Sequence, residues 1–286
     1  MSPIVAPTDR ELDRRRQHFE IERRLADRLR TAPKGRRQRL YQEVYDELFR
    51  RVELPGDHAA QSAQVGPLLR LLAPFVSEGT RFAEFGAGQC DLSLALCDRV
   101  DRVWAVDAVD PQLDPVDLPP AFEFVSSLDV AARIPHRGVD VALSCHFVEH
   151  LHPEDLADHL TQVMDLLRDG GIYVVVTPNR IYGPHDISRG FTDRATGLHL
   201  QEYCHYDLAR ALRQAGFGRV RAFGRLGARP GGGRLRLIGA LERVVDGLPA
   251  GWRRAAVAAA PRHAPFRPLE QVKLAAVRRS ESGSAR

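Results

Sequence analysis

The chain has 286 residues, 44% of them hydrophobic, and 41 Lys and Arg against 37 Asp and Glu, a net charge of +4; that length and composition suit one catalytic domain with extensions and a sizeable buried core. No stretch approaches the ~20 apolar residues of a membrane helix, the N-terminus shows no basic-then-apolar export signal, and Cys90, Cys97, Cys145 and Cys204 form no C-x-x-C pair, so a cytoplasmic protein without a disulfide framework is expected. Residues 1–54 carry 14 Lys and Arg against 10 Asp and Glu, residues 55–218 carry 12 against 23, and residues 219–286 carry 15 against 4. The basic tail reads as an internal or cross-dimer partner for the acidic middle, or as a peripheral docking surface for an anionic membrane; its charge alone assigns no specific nucleic-acid partner.

Residues 9–52 read as two helices. Ile21, Leu25 and Leu29 recur every fourth residue, and Tyr41, Val44, Tyr45, Leu48 and Val52 keep helical spacing. Pro33 and Gly35 separate the two runs, and Pro55-Gly56 ends them. From about residue 64, helices and short apolar strands alternate: helix 68–75, strand 81–85, helix 91–100, strand 103–106, a Pro-rich loop 110–120, strands 122–125 and 139–144, and helix 153–168. The last has Pro153 early and Glu154 and Asp155 in its first turn. Gly170-Gly171 is expected to end that helix and open strand 172–176, and helix 207–214 closes at Gly216. After a glycine hinge at 231–233 come a helical stripe, Leu237, Leu241, Val244, Val245 and Leu248, and a last strand over 271–279. The alternation predicts an α/β, doubly wound, mostly parallel sheet. The expected organisation is a helical extension over 1–60 and an α/β domain over 61–286. Within that domain the core spans 64–225, and a basic helical insertion with the last strand spans 226–280.

The sharpest chemical feature is Glu84-Phe-Gly-Ala-Gly88 at a strand end, opening a helix. Glycines there let backbone approach a ligand closely, and the following helix offers free N–H groups. Asp107 ends the next apolar strand, 19 residues beyond Gly88, where a carboxylate can accept hydrogen bonds from both ribose hydroxyls. Together they describe an adenosine site. The third glycine of a dinucleotide fingerprint would fall at Asp91, which weakens an NAD(P)-dependent oxidoreductase reading.

These stretches are followed by residues 140–151, Leu167-Arg-Asp-Gly-Gly171, Thr177-Pro-Asn179 and Ala215-Gly-Phe217. Their order and spacing across residues 64–225 resemble the class I S-adenosylmethionine-dependent methyltransferase family, specifically its small-molecule subgroup. The resemblance implies a Rossmann-like sheet of seven strands with the last one antiparallel. It implies S-adenosyl-L-methionine as cofactor, with Glu84, Gly86, Ala87 and Gly88 at its methionine part and Asp107 on its ribose. Leu128 or Asp129 would lie near the adenine, and Ser144 and His146 would complete the set. The family's usual Pro-Gly-Gly turn is Asp169-Gly-Gly171 here.

The acceptor side is less defined. His150 ends a strand-like run, and His185 and His199 lie in a long connection from Asn179 to His205 that leaves the carboxyl end of a strand, where ligands bind in such sheets. All three are candidate general bases, a neutral-range histidine being suited to deprotonating a hydroxyl; each equally reads as an ordinary hydrogen-bonding residue. His199, Cys204 and His205 fit no standard zinc spacing, so no metal is expected. The expected reaction is methyl transfer to a small-molecule or glycan/lipid-linked acceptor, at oxygen. A non-catalytic, cofactor-binding regulatory module is the alternative from a different class.

Overall fold

The computed structural model describes residues 8–52, 57–223, 232–249, 251–253, 255 and 270–280, with side chains at 57–61 and 232–234 excepted. Two helices, α1 (Asp9–Thr31) and α2 (Lys34–Arg51), precede α3 (Asp57–Leu72). Then β1 (Arg81–Phe85), α4 (Asp91–Leu96), β2 (Arg102–Asp107), β3 (Phe122–Ser126), α5 (Val130–Arg133) and β4 (Val139–Cys145) follow. The chain continues through α6 (Pro153–Leu166), β5 (Leu167–Pro178), α7 (His205–Gln214), β6 (Phe217–Ala222), α8 (Gly232–Asp246) and β7 (Gln271–Arg278). The strands form one seven-stranded sheet in the order β3-β2-β1-β4-β5-β7-β6. The first five are mutually parallel, and β7 runs antiparallel between β5 and β6. The doubly wound sheet, the helical head and the helix before an antiparallel last strand are all as expected. The reversed β7 separates this sheet from the all-parallel dinucleotide order 3-2-1-4-5-6.

Strand alternation divides the core in two. Phe82, Val103, Ala105, Val141, Leu143 and Val174 pack with α3 and α4, whereas Ala83, Phe85, Trp104, Ala142, Tyr173 and Val175 pack with α5 to α8. Alternation also decides where polar side chains go. Glu84 shares the face of Phe82, and Ser144 shares the face of Ala142.

Several boundaries differ from the sequence reading, the largest at α3, which runs from Asp57 to Leu72 rather than over 68–75. Helix α4 stops at Leu96 rather than Val100, and α7 starts at His205, two residues early. Gly170-Gly171 does not end the helix. Helix α6 stops at Leu166 and β5 begins at Leu167, paired with Val139; pairing resumes only at Ile172 with Val141, so residues 168–171 form a bulge. Gly170 takes a left-handed φ of +75° there, and a Cβ on Gly171 would lie 2.8 Å from the Arg168 carbonyl oxygen.

Helices α1 and α2 form a hairpin with a small core of its own. Leu25, Ala26, Leu29, Leu40, Val44 and Leu48 bury against Leu198 and Leu200 from the connection between β5 and α7. Polar contacts reinforce this docking. Arg30 donates to the carbonyls of Thr196 and Gly197 at 3.0 Å, Glu22 accepts from the Leu198 N–H at 3.2 Å, and Phe19 stacks on Phe191 at 4.5 Å. Arg37, in α2, is buried and grips Asp155 with two bonds of 2.8 Å and Glu154 with one of 2.7 Å, both acids lying in the first turn of α6.

Candidate functional site

The site begins where β1 and β2 end side by side. Gly86 and Ala87 donate to the Val106 carbonyl at 2.9 and 3.1 Å, drawing the glycine loop across the tip of β2. One Asp107 oxygen accepts the Gly88 N–H at 2.8 Å, and the other accepts the Val109 N–H at 3.1 Å. A carboxylate has about four lone-pair positions, so two remain for the adjacent hydroxyls of a ribose. Burial pushes the Asp107 pKa up, against the pull of the backbone N–H groups of Gly88, Val109 and Ala108.

Gly86 sits at φ +77°, and a Cβ there would lie 2.6 Å from the Phe147 ring. Its glycine is thus required by a side chain of this protein. Glu84 is buried on the α4 face, where it accepts a 2.6 Å hydrogen bond from Ser93, and its side chain ties β1 to α4 beneath the loop. Burial pushes its pKa up to about 7. Leu128 and Asp129 are both exposed just beyond β3. The Ser144 hydroxyl, by contrast, is buried 2.6 Å from Tyr173 Oη, which also meets His159 Nε2 at 2.8 Å; this side chain belongs to the core.

A second constellation lies past the end of β4. His146 has a left-handed φ of +51° and its N–H bonds the Val176 carbonyl. The following turn brings Glu149 fully into the interior, where Oε2 accepts from Thr177 at 2.9 Å. Around this carboxylate stand His146, with Nδ1 at 3.3 Å from Oε1, and the rings of His150 and His199, whose centroids are 4.9 Å apart. His150 Nδ1 donates to the Leu198 carbonyl at 3.1 Å, and His199 Nδ1 donates to Glu202 at 2.9 Å. A carbonyl and a carboxylate only accept, so each ring, when neutral, carries its lone pair on Nε2.

Burial pushes His150 down to about 4, leaving it neutral at physiological pH. Burial also opposes a charge on His199, but its bond to Glu202 and the fields of Glu149 and Asp186 outweigh it and raise its pKa. Burial alone would raise Glu149; the surrounding histidines outweigh that and hold it ionised. His185 stands apart, its Nε2–H spent on the Asn179 carbonyl at 2.9 Å and its backbone N–H on Glu202 at 2.7 Å.

Of the sequence-derived residues, the structure therefore joins Gly86, Ala87, Gly88 and Asp107 in one place and His146, His150 and His199 in another. Glu149, at the centre of the second, was missed as a site residue: in the sequence it is one more acid after an apolar strand, and only its complete burial marks it. Tyr45 was assigned to a helical stripe. It is half-buried, its ring lies 6.1 Å from that of His150, and its pKa is raised by burial together with the fields of Glu22, Asp107 and Glu149. Helix α2 thus brings Tyr45 beside His150 and within the field of Asp107.

No protein-family model matches the chain, and no curated protein matches it in sequence. Its likeness to known proteins lies in the fold. The 1,6-didemethyltoxoflavin-N1-methyltransferase of Burkholderia thailandensis, solved with 1,6-didemethyltoxoflavin and S-adenosylhomocysteine bound, superposes with a TM-score of 0.53 at 18% identity, covering 87% of this chain and 92% of that one. The YcgJ protein of Bacillus subtilis superposes with a TM-score of 0.50 at 13% identity, covering 76% of this chain and 99% of that one. The chain has the fold of S-adenosylmethionine-dependent methyltransferases.

Proposed function

We propose that this protein is an S-adenosylmethionine-dependent methyltransferase acting on a small molecule that presents a hydroxyl. The observation that carries the reading is the junction of Asp107 with Gly88. A carboxylate ending β2 is pinned to the glycine loop ending β1, with acceptor positions to spare, in a sheet whose seventh strand is reversed. Gly86, Ala87 and Gly88 would lie along the methionine part of the cofactor, Asp107 would hold the ribose hydroxyls, and Leu128 and Asp129 would flank the adenine. When bound, S-adenosylmethionine supplies a methyl group on a positively charged sulfonium.

The rest of the task falls to the chain: to align an acceptor atom and exclude water, which together contribute ~7–11 kcal/mol to such reactions. Glu149, His150 and His199 supply a carboxylate and two Nε2 lone pairs, groups that accept a hydrogen bond from a hydroxyl. Tyr45 and the α1–α2 hairpin close the crevice above it. A lipid- or glycan-linked acceptor finds less support. Part of the basic tail lies outside the described residues; within them, Arg253 pairs with Asp246 and Arg278 with the carbonyls of Met164 and Leu167, while Arg219, Arg221, Arg236 and Arg279 are exposed.

Calorimetry tests the cofactor. Micromolar binding of S-adenosylmethionine without comparable binding of NAD is expected, and Asp107→Ala should weaken it by ~2–4 kcal/mol through loss of a charged acceptor for two hydroxyls. Unchanged affinity in that variant would place the ribose elsewhere.

A further inference from the structure

We infer that Glu149, His150 and His199 form a binding site for a divalent first-row transition ion at the acceptor end of the crevice. The three side chains come from a short turn and from a loop about fifty residues further along, so no sequence spacing announces them. In the fold, one carboxylate oxygen and one nitrogen from each imidazole lie within 4.8 Å of one another. Tetrahedral bonds of about 2.1 Å would set such atoms roughly 3.4 Å apart. Side-chain rotations that draw the ends in by about an ångström therefore close the cluster on an ion.

Two features point to an ion rather than to a chance gathering. The first is the carboxylate. Glu149 has no exposed surface, its Oε2 accepts from Thr177, and its Oε1 accepts no hydrogen bond at all. His146 Nδ1 approaches Oε1 to 3.3 Å as a charge partner. A buried anionic oxygen left without a donor is costly, and a cation satisfies it directly.

The second feature is the orientation of the histidines. Metal-bound imidazoles characteristically give their other N–H to a carboxylate or a backbone carbonyl, which fixes the tautomer and the ring. His199 gives Nδ1–H to Glu202 and His150 gives Nδ1–H to the Leu198 carbonyl, one of each kind. Glu202 is itself buried and held by the His185 N–H. Both free lone pairs are on Nε2. Two imidazoles and one carboxylate suit Zn²⁺ or Fe²⁺ and leave coordination positions open, whereas Mg²⁺ prefers an all-oxygen shell. The inference rests on the acceptor end of the site proposed above. An ion there would hold an acceptor oxygen, yet its binding is read without any methyl transfer.

The test uses the full chain, stripped with a chelator and titrated with Zn²⁺ and separately with Mg²⁺. One Zn²⁺ per chain and no measurable Mg²⁺ are expected. Glu149→Gln and His199→Gln should each weaken Zn²⁺ at least 100-fold, and Glu202→Gln, which would reach the ion only through His199, should weaken it 10- to 100-fold. No Zn²⁺ binding by the wild type, or unchanged affinity in both ligand variants, would overturn the site. Should those variants fail to fold, Co²⁺ loaded into the wild-type protein decides. Intense visible d–d bands without thiolate charge transfer support the nitrogen and oxygen ligands. A thiolate charge-transfer band, or no binding of Co²⁺, overturns them. Because S-adenosylmethionine binding is measured separately, an absent ion and an absent cofactor are distinguishable results.

Discussion

Gly86 and Phe147 illustrate how a motif residue can serve the protein as well as its ligand. An alanine at Gly86 meets both a left-handed φ of +77° and a ring at 2.6 Å. Gly86→Ala should therefore destabilise the ligand-free protein by ~2–4 kcal/mol, and Phe147→Ala should recover part of that loss in the double variant. Thermal melting of the four proteins checks it; strictly additive effects would show that the two positions do not interact. Glu84 makes a pH-dependent prediction. Folded Glu84 keeps its proton up to about pH 7, whereas the unfolded chain releases it near 4.5. Between those values the folded state binds more protons, so the residue's contribution to stability falls as pH rises, by about 3 kcal/mol over the window. His150 works in the opposite sense: its folded pKa of about 4 lies below the ordinary 6.5, so stability rises with pH between them and partly masks the trend. The informative quantity is the difference between wild type and Glu84→Gln, which should decline from pH 4.5 to 7. A flat difference would show that Glu84 titrates normally. The glycines and Asp107 were legible in the sequence because their spacing from strand ends is fixed by the backbone. The burial of Ser144 is not legible in the sequence, since alternation along a strand does not say which face is covered; its hydroxyl goes inward to Tyr173.

At the scale of elements, most of the order was legible from apolar periodicity and from glycine and proline punctuation. The bulge at 168–171 was not, because two glycines after a helix read the same whether they end it or bend a strand. Nor was the docking of α2, which depends on long-range contacts. Arg37 reads in the sequence as one arginine among many, yet it is 3% exposed and spans Asp155 and Glu154. Arg37→Met should cost about 3 kcal/mol, since it strips a mostly buried carboxylate of its cation, and should raise hydrogen exchange in α2 more than in β4. Equal protection of α2 in the two proteins would show that the apolar contacts hold the hairpin alone.

For the whole molecule, the sheet order and the reversed last strand decide the fold, and the helical hairpin is docked on the connection from β5 to α7. The connection from β5 to α7 holds His199 and also feeds Leu198 and Leu200 into the hairpin core. Deleting residues 185–199 should therefore lower the melting temperature and expose α1 and α2 to protease. It should also weaken cofactor binding, because Tyr45 loses its place near Asp107. Retained cofactor affinity with an intact, protected hairpin would show that the two parts are independent.

The same docking has a consequence for biosynthesis. Leu48 is made about 150 residues before Leu198. At roughly 5–20 residues per second, the head of the nascent chain waits about 8–30 s for its apolar partner to be synthesised. During that interval its leucine stripe faces solvent or a chaperone, and the crevice acquires its roof only after the sheet's fifth strand has emerged.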